Sequence, residues 1–344
     1  MNYILFDGPY RDHLLPLTYT KPVADLRIGI LTIREKWEKL LDTTTTSVTE
    51  DYLSGKFPMV EMAENIMISG SVLPSADLVE TVKSLKPGQA IYQDDELLAF
   101  YTLENEEVDL LGVERIEHTG DLIIIRHTWD LFRNTGPALE TDFELLTQGR
   151  KSAPSPPAVH CVNKERIFLE EGVDIEIEVL NAKKGPIYIG KNAEVHEGSM
   201  IRGPFAMGEY SVVKMGSKVY GPTTLGPKSK IGGEVNNAIL SGYCIKGHDG
   251  YLGNAVVGEW CNMGADSNNS NLKNTYAQVK MWDYPEQRFV KTGLQFCGLV
   301  LGDHSKTGIN TMFNTGTVVG VSANIYGSNF PRNFVPSFSW GGAL

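Results

Sequence analysis

Two rhythms of apolar side chains run along this chain, one in the first 150 residues and another beyond about residue 170. In the first, short apolar runs alternate with stretches of helical spacing. Residues Tyr3–Phe6 (YILF) read as a strand. From Ala24 to Leu41, the side chains Leu26, Ile30, Ile33, Trp37 and Leu40 recur at helical spacing with Arg and Lys between them, which predicts one amphipathic helix. Asn65–Pro74 reads as a strand stopped by its proline, and Ser75–Leu85 as a helix with Ser75 as N-cap and Leu78, Val82 and Leu85 on its apolar face. Gln89–Thr102 predicts a hairpin turning at Asp94-Asp95, Gly120–Phe132 a strand followed by helix, and Ala138–Thr147 more helix. The expectation is an α/β domain over 1–150. Three prolines in the polar stretch Lys151–His160 then predict an extended linker over 151–160.

The second rhythm has a period of six. Ile189, Val195, Ile201, Met207, Val213, Val219, Leu225 and Ile231 are in phase, and four residues after each sits a mostly small side chain: Ala193, Ser199, Phe205, Ser211, Ser217, Thr223, Ser229 and Val235. Six is neither the helical period nor the simple strand period. It fits a solenoid of short flat strands, three hexads to a turn, with each lead side chain pointing inward and coils stacked about 4.8 Å apart. The register weakens at Asn237 and Tyr243 and resumes out of phase at Tyr251, Val257 and Met263. A third run comprises Leu301, Thr307, Phe313, Val319 and Ile325. The second domain is therefore expected over 161–344, with an insertion at about 268–300 and an aromatic, proline-containing tail that folds back over the end of the coil.

Composition narrows the partners. A net charge of −11 argues against nucleic acid, because neutralising a phosphate backbone needs clustered Lys and Arg. Small phosphorylated molecules need only a few local cations and remain open. Cys161, Cys244, Cys261 and Cys297 have no CxxC spacing and no zinc spacing, so buried free thiols are expected and no metal site is read from them. The start of the chain lacks the basic and apolar regions of a signal peptide, and no apolar run reaches membrane-spanning length. A cytoplasmic protein with no membrane partner is the expectation.

The repeat, apolar-Gly-x-x-small-x, resembles that of the hexapeptide-repeat acyltransferases, whose fold is a left-handed parallel β-helix. Within it, Gly247, His248, Tyr251, Leu252, Gly253, Asn254, Ala255, Gly258, Asn262, Met263, Gly264 and Ala265 stand where the bifunctional N-acetylglucosamine-1-phosphate uridyltransferase/glucosamine-1-phosphate acetyltransferase family carries its K-x-G-H-x-x-Y-[LI]-G-[DN]-A and N-[IM]-G-A motifs, with Lys246 one residue nearer the glycine than the motif's lysine. Ile201–Ala206 is similar to that family's IGPFA, and Leu14–Leu26 resembles the L-x-P-[IV]-x-G-K-P segment of its nucleotidyltransferase domain, one residue longer. Two departures stand out in the first domain. The phosphate-cradling G-x-G-T-R loop is replaced by Phe6–His13 (FDGPYRDH), in which Pro9 has no N–H to donate, and Ser71 occupies the place of the magnesium-binding Asp.

The resemblance implies an acetyl-CoA-dependent N-acetyltransferase of nucleotide-sugar biosynthesis acting on an amino-sugar phosphate such as glucosamine 1-phosphate. It would work as a homotrimer, with a reduced nucleotidyltransferase-like first domain. Amine acylation needs a base to take the proton as nitrogen attacks, and histidine, titrating near neutrality, suits the task. By resemblance His248 is that base and Tyr251 and Asn262 contact the sugar phosphate. The Gly264–Ala265 amides face the thioester. The family's phosphate-binding Arg and Lys have no clear counterpart, so Lys218 is a substitute candidate, and Asn268 and Asn269 are candidates from their polar run. In the first domain Arg11 and Lys21 are candidates for phosphate, with Mg²⁺ needed only if that domain turns over. Two alternatives stay open: uridylyl or thymidylyl transfer as the main reaction, using those cations and carboxylates such as Asp7 and Asp12, or a sugar-nucleotide-binding protein without catalysis.

Overall fold

A computed structural model describes residues 1–106 and 109–341, which form two compact units. One comprises Met1–Leu14, Thr20–Leu26 and Leu31–Arg126; the other comprises Leu15–Tyr19, Arg27–Ile30 and His127–Leu344. The long helix near residue 130 thus groups with the second unit.

The first unit is built on a mixed six-stranded sheet. Its strands are β1 (Asn2–Phe6), β2 (Thr46–Val48), β3 (Glu64–Ser69), β4 (Gln89–Gln93), β5 (Glu96–Leu103) and β6 (Glu114–Glu117), in the order β2-β1-β3-β5-β4-β6. β1 lies parallel to both β2 and β3, and β4 and β5 make the hairpin read from Asp94-Asp95. Helix α2 (Ala76–Ser84) starts at Ser75, whose hydroxyl accepts the Leu78 N–H as expected.

The single helix expected over 24–41 is shorter. α1 spans Ile33–Leu41 and begins with a capping box, in which Thr32 accepts the Glu35 N–H while the Glu35 carboxylate accepts the Thr32 N–H. The Thr-x-x-Glu signal was in the sequence, but the apolar periodicity runs straight through it. Leu26 and Ile30 fall in irregular chain because Gly29 sits at φ +77°, where only glycine is at ease. A Cβ there would also lie 2.5 Å from an Asp142 carboxylate oxygen and 2.9 Å from the Ala138 carbonyl. Asp142, on helix α3 (Thr128–Thr147), accepts the Ile30 N–H. The strand expected ahead of α3 is reduced to a single bridge, Val72 to Ile124.

The rest of the second unit is a parallel β-solenoid whose period and ladders are those of the left-handed β-helix expected. All eight lead side chains from Ile189 to Ile231 are at most 3% exposed, and so are the eight fifth-position residues. Strands of one face stack in parallel, and Glu194, Val212 and Lys230 follow one another in register, one turn being 18 residues. The tail adds to the coil: Phe334–Val335 pairs with Val318–Val319, and Trp340 bridges to Asn324, so the last coil's edge groups are satisfied. Within the insertion, Lys280–Asp283 and Arg288–Lys291 form an antiparallel hairpin. The four thiols are free, and three of them are buried.

Candidate active site

His248 owes its position to a change in the length of successive turns. Ile231 is in register with Lys246, and Val235 with Leu252. The corner between Ile231 and Val235 therefore holds three residues, while the corner stacked on it, between Lys246 and Leu252, holds five. The extra length overhangs, and the imidazole of His248 is exposed. None of its ring atoms has a hydrogen-bond partner among the described residues. The shorter corner needs its two glycines, because the overhanging chain passes over them. A Cβ on Gly232 would lie 2.6 Å from the Gly247 carbonyl oxygen, and one on Gly233, at φ +74°, 2.7 Å from that of Gly250.

The same register corrects one expectation. Leu252, 0% exposed, takes the inward place expected for Tyr251. The tyrosine faces outward beside Glu234 and is half-buried. Its phenol oxygen accepts a hydrogen bond from the Asn271 amide at 2.9 Å, and the same amide reaches Asn254 Oδ1 at 2.7 Å. Burial, the largest cause, raises the Tyr251 pKa, so the phenol stays protonated at neutral pH. Asn268 accepts the Tyr251 N–H at 2.7 Å. Lys218 lies on the same face: it pairs with Glu234, which pairs with Tyr251, so it stands two rungs, about 10 Å, from the tyrosine. There it lines a groove with Arg202 and Tyr220.

Other candidates are placed differently. Asn269 is 3% exposed, and its amide is spent on Gly253, accepting that residue's N–H and donating to its carbonyl. Asn262 is exposed on another sheet, between Ile245 and Lys306, and makes no hydrogen bond to the Tyr251 group among the described residues. Gly264 donates to the Thr307 carbonyl, whereas the Ala265 N–H has no acceptor among the described residues and is free for a ligand oxygen. In the first unit Arg11 and Lys21 are buried. Arg11 is held by Asp7 at 3.0 Å and by the Tyr52 hydroxyl at 2.8 Å, and Asp7 also accepts the Val23 N–H at 2.7 Å. Burial raises the Asp7 pKa against those bonds.

Lys246 stands in the motif, but the sequence assigns it no role. It occupies the inward column of Ile175, Val195, Val213 and Ile231 and is 1% exposed. Its ammonium donates to the Gly232 carbonyl at 3.1 Å and to the His248 carbonyl at 2.9 Å, tying the overhang to the coil below. The lost phase between Asn237 and Tyr243 hid that inward assignment. Asn271 lies in the same polar run as Asn268 and Asn269, where nothing in the spacing sets one asparagine apart from the next. Burial lowers the Lys246 pKa to about 8, against an unfolded value of about 10.4. Between those values the folded state has released a proton that the unfolded state retains, so stability rises with pH. Chemical denaturation at pH 8 and at pH 10 is expected to show this gain in the native chain relative to Lys246→Met. Equal pH dependence of the two would exclude a buried titrating ammonium.

Residues 3–151 match the model of a family described as sugar nucleotidyl transferase. A curated bifunctional sugar-1-phosphate nucleotidylyltransferase/acetyltransferase from Sulfurisphaera tokodaii is 36% identical over 146 residues, which are 42% of this chain and 36% of that protein, so the chain spans about a third of the relative's length. The resemblance read from the sequence is thus to a bifunctional protein of the same kind. Among solved structures, an N-acyltransferase from Bacillus cereus, in complex with dTDP and coenzyme A, aligns with 45% of this chain and 79% of its own, at 14% identity and a TM-score of 0.26. A GDP-perosamine N-acetyl transferase from Caulobacter crescentus, in complex with coenzyme A and GDP-perosamine, aligns with 99% and 94% at 9% identity and a TM-score of 0.17.

Proposed function

We propose that this chain is an acetyl-CoA-dependent N-acetyltransferase acting on an amino-sugar phosphate, with His248 as general base. The observation that carries the reading is the overhanging corner, which exposes an unbonded imidazole three residues from a phenol held in a polar network. His248 takes the proton as the amine nitrogen attacks the thioester carbon. The carbon–sulfur bond then breaks and the thiolate of coenzyme A leaves, so that amide, free CoA and a transferred proton balance the step. Tyr251 and Asn268 orient the sugar, and Lys218 with Arg202 supplies positive charge for its phosphate. The unbonded Ala265 N–H polarises the thioester carbonyl. By the same resemblance the protein is cytoplasmic and works as a homotrimer with sites between neighbouring solenoids.

The test is direct. Acetyl-CoA and glucosamine 1-phosphate, with a thiol reagent, are expected to release CoA in proportion to enzyme; no release from folded protein with this or any other amino-sugar phosphate overturns the proposal. A second reading is favoured by the match of residues 3–151: nucleotidyl transfer to a sugar 1-phosphate, with Arg11 and Lys21 at the phosphates and carboxylates such as Asp7 and Asp12 taking part. Pyrophosphate released from UTP or dTTP with Mg²⁺ and a sugar 1-phosphate supports it. Binding of a nucleotide sugar without turnover of either kind would leave a non-catalytic binding protein.

A further inference from the structure

The insertion hairpin builds a cavity to which neither reading assigns a ligand. Trp282 is in register with Phe289 across it, and Lys280, two residues before the tryptophan, shares their face. On the opposite face Met281 is fully buried. Phe334, from the strand added at the end of the coil, stacks on Trp282 with ring centroids 4.3 Å apart and planes at 11°. Lys273 and Arg332 complete a space of about 730 Å³, the size of a small-molecule site. The Trp282 indole N–H is buried with no acceptor among the described residues. Three cations beside three aromatic rings suit a ligand that has both phosphate and a flat heterocycle. Inorganic phosphate would not need the rings, and an uncharged apolar ligand would not need the cations.

We propose that this cavity binds the nucleotide portion of a substrate, a base with its phosphates. The base would lie against the Trp282–Phe334–Phe289 walls, where stacking tolerates any base, and the phosphates would meet Lys273, Lys280 and Arg332. Lys273 is two residues beyond Asn271, at most about 7 Å of chain, and the Asn271 amide bonds the Tyr251 hydroxyl. Lys273 thus joins one wall of the cavity, along the chain, to the segment that contacts Tyr251. The inference rests on the acetyltransferase reading in that a nucleotide-linked molecule enters there, either a sugar nucleotide as acceptor or coenzyme A as donor, and both present a base and a diphosphate.

Calorimetric titration of the full chain with UDP, dTDP, and coenzyme A separates these sources. Binding by at least one of them is expected, with quenching of tryptophan fluorescence that Trp282→Phe diminishes. The double variant Lys273→Ala/Lys280→Ala, checked for an unchanged melting temperature, is expected to weaken that binding at least ~10-fold. Binding of coenzyme A alone that the double variant loses assigns the cavity to the donor; binding of UDP or dTDP that the double variant loses assigns it to the acceptor. His248→Ala is expected to leave the affinity unchanged, so failure of transfer and failure of this site are told apart. No binding up to ~5 mM, or an affinity that the double variant leaves intact, overturns the inference.

Discussion

Replacing His248 with alanine is expected to lower acetyl transfer at least ~100-fold while moving the melting temperature by no more than about 2 °C. The two halves of that expectation have separate physical causes. The side chain is exposed and unbonded, so its removal takes nothing from the packed solenoid. What it does remove is the acceptor for a proton that must leave the attacking amine, and a positioned base is worth about 10²–10⁴-fold. The backbone around it stays in place, since Lys246 holds the residue-248 carbonyl whatever the side chain. Measured with acetyl-CoA saturating, the loss should fall on kcat, with KM for the sugar little changed. A melting temperature lowered by many degrees would identify a structural histidine. Full activity in a folded variant would move the base elsewhere.

The largest effect on stability is expected from Phe205→Ala, a loss of about 3–5 kcal/mol. Phe205 occupies the fifth place of its hexad, where the other coils carry mostly small residues, and it is 0% exposed. It is in register with Ile187 below and Thr223 above. Because its neighbours at that corner are smaller, no adjacent side chain can swing in to fill the volume, and the cavity persists. Phe205→Leu should recover most of the stability, as volume-conserving apolar changes usually cost under about 1.5 kcal/mol. Urea unfolding followed by circular dichroism measures both variants. A loss below about 1 kcal/mol for the alanine variant would mean that this position does not fill the solenoid interior.

Much of the architecture was legible because the β-solenoid repeats one local rule. Each hexad states its own inward position, so Ile189 through Ile231 could be assigned one by one, and the structure buries all of them. Ser75 as a cap and the turn at Asp94-Asp95 were legible for the same reason, since both depend on residues within a few positions of each other. Where the phase failed, so did the assignment. Counting by six places Tyr251 inward, but the structure puts Leu252 there, because a corner of three residues beneath a corner of five shifts the count. Lys246 was passed over in the same gap. In the first domain the apolar spacing from Leu26 to Leu40 overrode Thr32 and Glu35, which end the matter locally by capping a helix that starts at Ile33.

The sequence by itself determined that the second half is a coil with a six-residue beat, that the beat falters around His248, and that the first half is α/β. Those follow from short-range periodicity, which needs no knowledge of what lies across the fold. Only the tertiary structure decided which residues meet at the falter, Tyr251 with Asn271, 20 positions on, and Lys246 beneath the His248 carbonyl, and which meet at the insertion, Trp282 against Phe334. Such pairs arise from how many residues each turn contains and from what the insertion folds over. Stacking adds up those lengths along the whole coil, so a single short corner changes which residues become neighbours.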